Sequence, residues 1–272
     1  MKTGEKSEMS FLEHLEELRW HIIRSAVVIV TFSTLAFIYK HLLFDVIILG
    51  PSKAEFITNV LLCRLGEKVN APGLCVNAKP MVLQSLEMAG QFTAHIKISI
   101  IAGLIIAAPY IVYEIWKFIS PALYLKERKV AKGAVLAVSI LFFLGVLFGY
   151  FVICPLSIRF LLNYKVSEVA QNNIRLMNYV SMVSSLSLAA GLTFELPVLV
   201  YILSKFGILT PSFLIKYRRH AIVVILLVAG IITPSPDIFS QILVSIPLLV
   251  LYEVSIIVSK RISRKQKHDI LK

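Results

Sequence analysis

Residues 133–154 read GAVLAVSILFFLGVLFGYFVIC and contain no charged side chain. An α-helix needs about 20 consecutive apolar residues to cross the hydrocarbon core of a bilayer, and this stretch is long enough. Hydrophobic residues make up 57% of the 272-residue chain. This composition excludes a water-soluble globular domain and predicts an integral membrane protein.

Further apolar segments lie on both sides of residues 133–154. Their patterning does not alternate as in barrel strands, and backbone groups in lipid must be hydrogen-bonded within their own segment, so we predict helices. The chain is predicted to be an all-α polytopic membrane protein with a single domain, residues 1–272. Its six predicted spans are residues 22–43, 96–116, 133–154, 177–203, 221–233 and 238–258.

The connectors between the spans differ in their content of Lys and Arg. Nineteen of these residues lie in 1–24, 117–132, 204–219 and the tail from 259, whereas seven lie in 44–90, 155–176 and 234–237. Basic residues are retained on the cytoplasmic side, so both termini are predicted to be cytoplasmic and 44–90 to be a non-cytoplasmic loop. Topology thereby explains the net charge of +12, and no nucleic-acid partner is expected.

An acidic, amphipathic segment precedes the first span. Ser10 and Glu13 have the spacing of a capping box, and an apolar stripe follows at helical spacing, so a short amphipathic helix is predicted from Ser10. This helix can lie at the membrane surface or against the bundle. Five glutamates in residues 1–19 are unlike the start of a cleavable signal peptide, so the first span is expected to stay in the mature protein.

Glu17 is the carboxylate of this segment with the least local neutralisation. Glu16 can pair with Arg19, whereas Glu17 is flanked only by His14 and His21. The alternative explanation is a solvated acidic helix face.

The fifth predicted span is unusually short. Sixteen uncharged residues run from Ala221 to Pro236, which is about 24 Å of helix against a hydrocarbon core of about 30 Å. Tilt and snorkelling by Arg219 and His220 are one explanation, and a thinned bilayer beside the protein is the other.

Polar groups in the spans are candidates for function. Glu195 lies well inside the fourth span, where an ionisable group is costly, and Pro197 predicts a helix break beside it. The alternative is a protonated Glu195 that is hydrogen-bonded within the bundle. Asp237 and Gln241 lie at and within the start of the sixth span, where they can simply cap a helix or join two helices.

Four short motifs occur in order along the chain. They are FLEHLEELR at residues 11–19, FISPALY at 118–124 followed by KER at 126–128, FELP at 194–197, and PDIFSQ at 236–241. Together they resemble the motifs of the TatC family, the signal-peptide receptor of the twin-arginine protein translocase. The predicted span number and orientation agree with that family's topology. Two regions depart from it: residues 233–237 carry an extra residue in a usually tighter Pro-Pro-Asp turn, and 44–90 is longer than in many relatives.

The resemblance implies that Glu17 and Glu127 bind the signal peptide, together with His14 and Arg19. Twin arginines present two planar, always protonated forks, which carboxylates bind in two-point geometry. The implied ligands are the twin-arginine signal peptides of folded cargo proteins. For Glu127 the alternative is a purely local role, because basic residues flank it on both sides.

The same resemblance implies further roles and partners. Glu195 and Gln241 are implied as contacts to single-span TatA/TatB-type subunits or as an intramembrane polar site. The implied structural or loop motif residues are Phe118, Pro121, Tyr124, Pro197 and Asp237. The family also implies self-association in a receptor complex, a bacterial cytoplasmic (inner) membrane location, and export driven by the proton-motive force without a cofactor.

Cys63 and Cys75 lie in the predicted non-cytoplasmic loop, on the side that is oxidising in a bacterium. We expect a disulfide between them, which closes a thirteen-residue loop and stabilises the fold by about 3 kcal/mol. Cys154 is expected to be an inert apolar side chain.

Enzyme chemistry is not expected from this sequence. It contains no nucleotide-binding glycine loop, no catalytic serine elbow and no metal-ligand cluster. The alternative function is a proton-coupled secondary transporter that uses Glu195, but such proteins normally contain repeated halves, and no repeat is found. A transporter moves a small solute alone, whereas a receptor needs its partner subunits.

Overall fold

The computed structural model describes residues 11–68, 82–119, 131–163, 167, 173–232 and 238–270. These residues are predominantly helical. The α-helices are α1 Phe11–Ile38, α2 Ile57–Lys68, α3 Gly90–Ile119, α4 Ala131–Phe148, α5 Cys154–Asn163, α6 Leu176–Phe194, α7 Leu196–Lys205, α8 Pro211–Lys216, α9 Arg218–Ile232 and α10 Ile238–Ile270.

Four helical segments in the described part of the chain are long and apolar enough to cross a membrane. They are His14–Ile38, Gly90–Ile119, Val135–Leu162 and Leu176–Lys205. A fifth arises if Leu42–Ile48 and Gly50–Lys68, which are bent by 41°, form one span. The all-α polytopic membrane fold is therefore confirmed, whereas the number of six spans stays a prediction.

The amino-terminal segment is not a separate short helix. Helix α1 is continuous over Phe11–Ile38 and joins the predicted amphipathic helix to the first span. No Gly or Pro interrupts this sequence, so nothing in it breaks the helix. Ser10 and the side chain of Glu13 lie outside the described residues, so the capping box stays a prediction.

Residues 44–90, expected to be a loop, contain short helices. A π-helical segment, Leu42–Ile48, leads into a 3₁₀ turn and then into α2. The Tyr179 hydroxyl donates to the Ile48 carbonyl at 2.8 Å, and Asn59 Nδ2 donates to the Lys53 carbonyl at 2.8 Å. Contacts between residues far apart in the sequence, such as Tyr179 and Ile48, hold these short helices, which is why the sequence analysis missed them.

Two connectors between helices are joined by a pair of strands, each two residues long: β1 Leu83–Gln84 and β2 Ile174–Arg175. Leu83 pairs with Ile174 and Gln84 with Arg175 in a parallel register. Strands of this length produce no alternating pattern long enough to predict.

The last two helices differ in length from the predicted spans. Helix α9 has 15 residues, so the helix at the fifth predicted span is short, and its role as a span stays a prediction. Helix α10 has 33 residues and continues to Ile270, well past the predicted span end at residue 258. The turn between them, residues 233–237, lies outside the described residues.

Residue contacts divide the chain into two units. The first comprises residues 1–38 and 99–139, and the second comprises 39–98 and 140–272. The single-domain assignment stays a prediction.

In the first unit, α1 and α3 approach closely. A Cβ on Gly103 would lie 2.6 Å from the Ser33 backbone nitrogen, so only glycine fits there. In the second unit, α6 forms the core, because Tyr179, Val180, Val183 and Leu186 are almost fully buried.

Candidate functional site

Helices α1 and α3 contact each other in the first unit through the side chains of His14 and His21 on α1 and of Glu114 and Phe118 on α3. The His14 ring stacks on Phe118, with ring centroids 4.5 Å apart and an angle of 22° between the planes. About two turns further along α1, His21 Nδ1 donates to Glu114 Oε2. His21 and Glu114 are 6% and 3% exposed, so this ion pair is buried.

Glu17 lies between these two contacts on α1. Positions 14, 17 and 21 follow helical spacing and share one helix face. Glu17 Oε2 is buried and has no hydrogen-bond partner. A buried carboxylate oxygen without a donor is costly, so this atom is available to a donor that the described residues do not supply.

The structure gives less information about the other residues that are predicted to bind the signal peptide. Arg19 and Glu16 are both exposed, and no ion pair between them occurs. The pairing that the sequence allows between Glu16 and Arg19 is therefore not formed. Glu127, Pro121 and Tyr124 lie outside the described residues, and their roles stay predictions.

His21 and Glu114 are polar residues that the sequence analysis missed. His21 was considered only as a neighbour of Glu17. Glu114 lies in the second predicted span, residues 96–116, so the rule that singled out Glu195 as an ionisable group in a span also applied to it. Their contact joins positions 93 residues apart, and no local spacing predicts such a pairing.

Glu195 lies in the second unit, at the break between α6 and α7. Helix α6 ends at Phe194, and α7 begins at Leu196 with a proline in its first turn. The Glu195 Oε1 atom is buried and has no hydrogen-bond partner. The intramembrane helix is thus interrupted at its ionisable residue, beside the proline that predicted the break.

A small apolar cavity adjoins this break. Thr193 and Phe194, the residues immediately before Glu195, line it together with Phe148, Val244 and Pro247. Close packing holds α4 against α6 nearby, because a Cβ on Gly145 would lie 2.6 Å from the Ala190 carbonyl oxygen.

Gln241 joins the last two helices. Its Nε2 donates to the Leu226 carbonyl at 2.8 Å, across from α10 to α9. This bond favours the structural alternative of a helix–helix tie. Asp237 lies outside the described residues.

The cysteines are in different states. Cys63 takes part in a disulfide, whereas Cys154 is a buried free thiol. Cys75 lies outside the described residues, so its pairing with Cys63 stays a prediction. Among the described residues, no group of three His, Cys, Asp or Glu side chains could hold a metal ion.

The long apolar helices define a polytopic membrane protein, and two of its carboxylates, Glu17 and Glu195, have a buried oxygen without a hydrogen-bond partner. The family described as "Sec-independent protein translocase protein (TatC)" matches residues 13–247. The chain therefore belongs to the TatC family.

Relatives match over nearly the whole chain. The TatC protein of Blattabacterium sp. subsp. Periplaneta americana is 40% identical, over 97% of this chain and 99% of its own length. The TatC proteins of Carboxydothermus hydrogenoformans and Aquifex aeolicus are 36% and 34% identical, over 96% and 95% of this chain and 97% and 98% of their own lengths.

Solved structures agree with the sequence comparison. A crystal structure of the twin-arginine translocase receptor TatC is 33% identical and matches with a TM-score of 0.69, covering 92% of this chain and 100% of that one. A second structure of that receptor, in a detergent, is 34% identical with a TM-score of 0.72, covering 90% and 98%. The chain is thus a protein translocase component, and the transporter alternative is not favoured.

Proposed function

We propose that this chain is the translocase subunit that binds twin-arginine signal peptides. The observation that carries the proposal is the Glu17 carboxylate, whose Oε2 atom is buried on α1 without a hydrogen-bond partner. The proposal is also supported by the solved structures that resemble this chain, since both are of a twin-arginine translocase receptor.

Arginine suits such a site better than lysine. A guanidinium presents a planar fork that donates two parallel hydrogen bonds to one carboxylate, whereas a lysine ammonium acts as a point charge. A hydrogen bond to a charged group contributes about 1.5 to 3 kcal/mol, and partial burial of Glu17 reduces screening by water. Glu127 is proposed as the second carboxylate, because two adjacent arginines require two acceptors.

The proposed partners are single-span subunits of the TatA and TatB type. Glu195 supports this part of the proposal, because its unpaired Oε1 lies at a helix break beside an apolar cavity. A partner helix with a polar side chain could supply the missing donor. Export across the bacterial inner membrane, driven by the proton-motive force with both termini cytoplasmic, belongs to the same proposal.

The first experiment measures binding of an Arg-Arg signal peptide and its Lys-Lys counterpart to the purified chain. We expect the parent to prefer Arg-Arg, and Glu17→Ala and Glu127→Ala each to weaken Arg-Arg binding by about tenfold or more, which is at least about 1.4 kcal/mol. Glu16→Ala is the matched control on α1, because Glu16 is exposed. A parent chain that binds both peptides equally would contradict the proposal.

A further inference from the structure

Four residues form what we call the α1–α3 clamp: His14 and His21 on α1, and Glu114 and Phe118 on α3. Each helix contributes two residues that lie on the same helix face. Positions 14 and 21 of α1 are about two turns apart, and positions 114 and 118 of α3 are about one turn apart. The His21 ring also meets the edge of Phe118, with centroids 5.9 Å apart at 67°. The clamp is thus one connected cluster within the first unit.

We propose that the α1–α3 clamp positions Glu17 for arginine binding, an inference that rests on the proposed function. Glu17 lies between the two clamp residues of α1, so the clamp fixes the rotation of α1 about its own axis at this position. A slip by one residue turns a helix by about 100°, which would move the Glu17 carboxylate to another face. His21 and Glu114 are then positioning residues that act through Glu17.

A polar clamp differs from an apolar one in specificity. Burying an ion pair is often no more stabilising than burying two apolar side chains of the same size, but removing one partner leaves an unpaired buried charge. The pair therefore favours one register, because any other register of α1 on α3 removes the His21 donor from the buried Glu114 carboxylate. The Tyr110 side chain, one turn earlier on α3, also interacts with this carboxylate.

Glu17 itself takes no part in the clamp. The histidines on either side contact Phe118 and Glu114, while the Glu17 Oε2 atom is left without a donor. If His21 were free, it would lie one turn from Glu17 and could neutralise it as an i, i+4 partner. Engagement of His21 by Glu114 thus keeps Glu17 available for a guanidinium.

The test is a double-mutant cycle on peptide affinity. His21→Leu and Glu114→Leu are each made in the parent and in a Glu17→Gln background, and Arg-Arg peptide binding is measured on folded, purified chains. We expect each Leu variant to lose about tenfold in affinity in the parent but less than about twofold in the Glu17→Gln background, because coupled residues are non-additive. Glu114→Gln keeps an oxygen that accepts from His21 and should stay within about threefold of the parent.

A second readout does not depend on the peptide. In a Cys154→Ser background, the thiol of a Glu17→Cys variant is labelled with a maleimide, with and without His21→Leu. We expect labelling to be about tenfold faster with His21→Leu, because releasing α1 exposes position 17. Arg218→Gln, which breaks the exposed Arg218–Glu253 ion pair in the second unit, is the control and should change neither readout.

The two proposals fail differently. Equal affinity losses with and without Glu17, or unchanged labelling in the folded His21→Leu variant, would overturn the positioning role. A parent chain without Arg-Arg preference would overturn the proposed function, while the labelling rates would still decide whether the clamp sets the environment of position 17.

Discussion

Glu17 and Glu195 share an unusual property at the residue scale. Each has a carboxylate oxygen that is buried and lacks a hydrogen-bond partner. Such groups reduce stability, because the lost hydration is not replaced by a hydrogen bond. This cost supports the binding roles proposed for the two carboxylates.

Glu195 allows stability and function to be separated. We expect Glu195→Leu to leave the free energy of unfolding within about 1 kcal/mol of the parent or to raise it, because the variant removes an unsatisfied polar group from an apolar environment. Export of a reporter with a twin-arginine signal peptide should fall to background, because the partner contact is lost. Thermal unfolding in detergent and a cell-export assay measure the two effects.

The control for this variant is Gln241→Leu, which removes a satisfied hydrogen bond instead. That variant should lose stability, since the hydrogen bond that ties α10 to the Leu226 carbonyl of α9 is lost. A Glu195→Leu protein that unfolds more readily than Gln241→Leu would show that Glu195 is a structural residue.

At the scale of single elements, the close approach of α4 and α6 determines how the second unit packs. A Cβ at Gly145 would lie 2.6 Å from the Ala190 carbonyl oxygen and 2.8 Å from Gly191 Cα. These atoms belong to the backbone of α6, which cannot rotate away as a flexible side chain can. The glycine is therefore required by the distance between the helices.

We expect Gly145→Ala to destabilise the protein by about 1 to 3 kcal/mol, the usual effect of overpacking a close contact. Gly133→Ala on the same helix is the matched control, because a Cβ there meets nothing within 4 Å. It should be neutral or stabilising by up to about 1 kcal/mol through higher helix propensity. Chemical or thermal unfolding of both variants checks the difference, and equal effects would show that α4 and α6 are further apart than described.

The elements also show how far sequence analysis reaches. Long apolar segments such as residues 96–116 and 133–154 were recognisable, since hydropathy over about 20 residues is a strong signal. The break at Glu195 was recognisable from Pro197, because proline cannot donate the helical hydrogen bond. The short helices of residues 44–90 were not, because they are held by contacts such as Tyr179 to Ile48, which are distant in the sequence.

The candidate site was recognisable in part for the same reason. Glu17 and Glu195 were identified from local charge and from position in a span. The His21–Glu114 pair was missed, because it depends on which faces of α1 and α3 meet. That information lies in tertiary packing and not in the spacing of either helix.

At the scale of the whole molecule, the distribution of basic residues bears on the orientation in the membrane, and the helix lengths bear on the fit to the bilayer thickness. Helix α10 carries exposed Lys260, Arg261 and Arg264 beyond its predicted span, which supports the proposed cytoplasmic carboxyl terminus. Helix α9 has 15 residues and reaches only about 22 Å, less than the usual hydrocarbon thickness of about 30 Å. Tilting shortens the reach of a helix further, so tilt alone does not compensate for this length, and the two explanations become snorkelling by flanking residues and a thinned bilayer.

We therefore expect the protein to prefer a thin bilayer. In nanodiscs of dimyristoyl lipid the melting temperature should be higher than in dioleoyl lipid, because a short helix in a thick bilayer costs fractions of a kcal/mol per Å of mismatch. The matched variant carries four leucines inserted after Leu227, which lengthen α9 by about 6 Å and by about one turn, so that its faces are nearly preserved. This variant should lose the preference for dimyristoyl lipid. If parent and variant respond equally to the two lipids, snorkelling by exposed Arg219 and His220 is sufficient to accommodate the short helix.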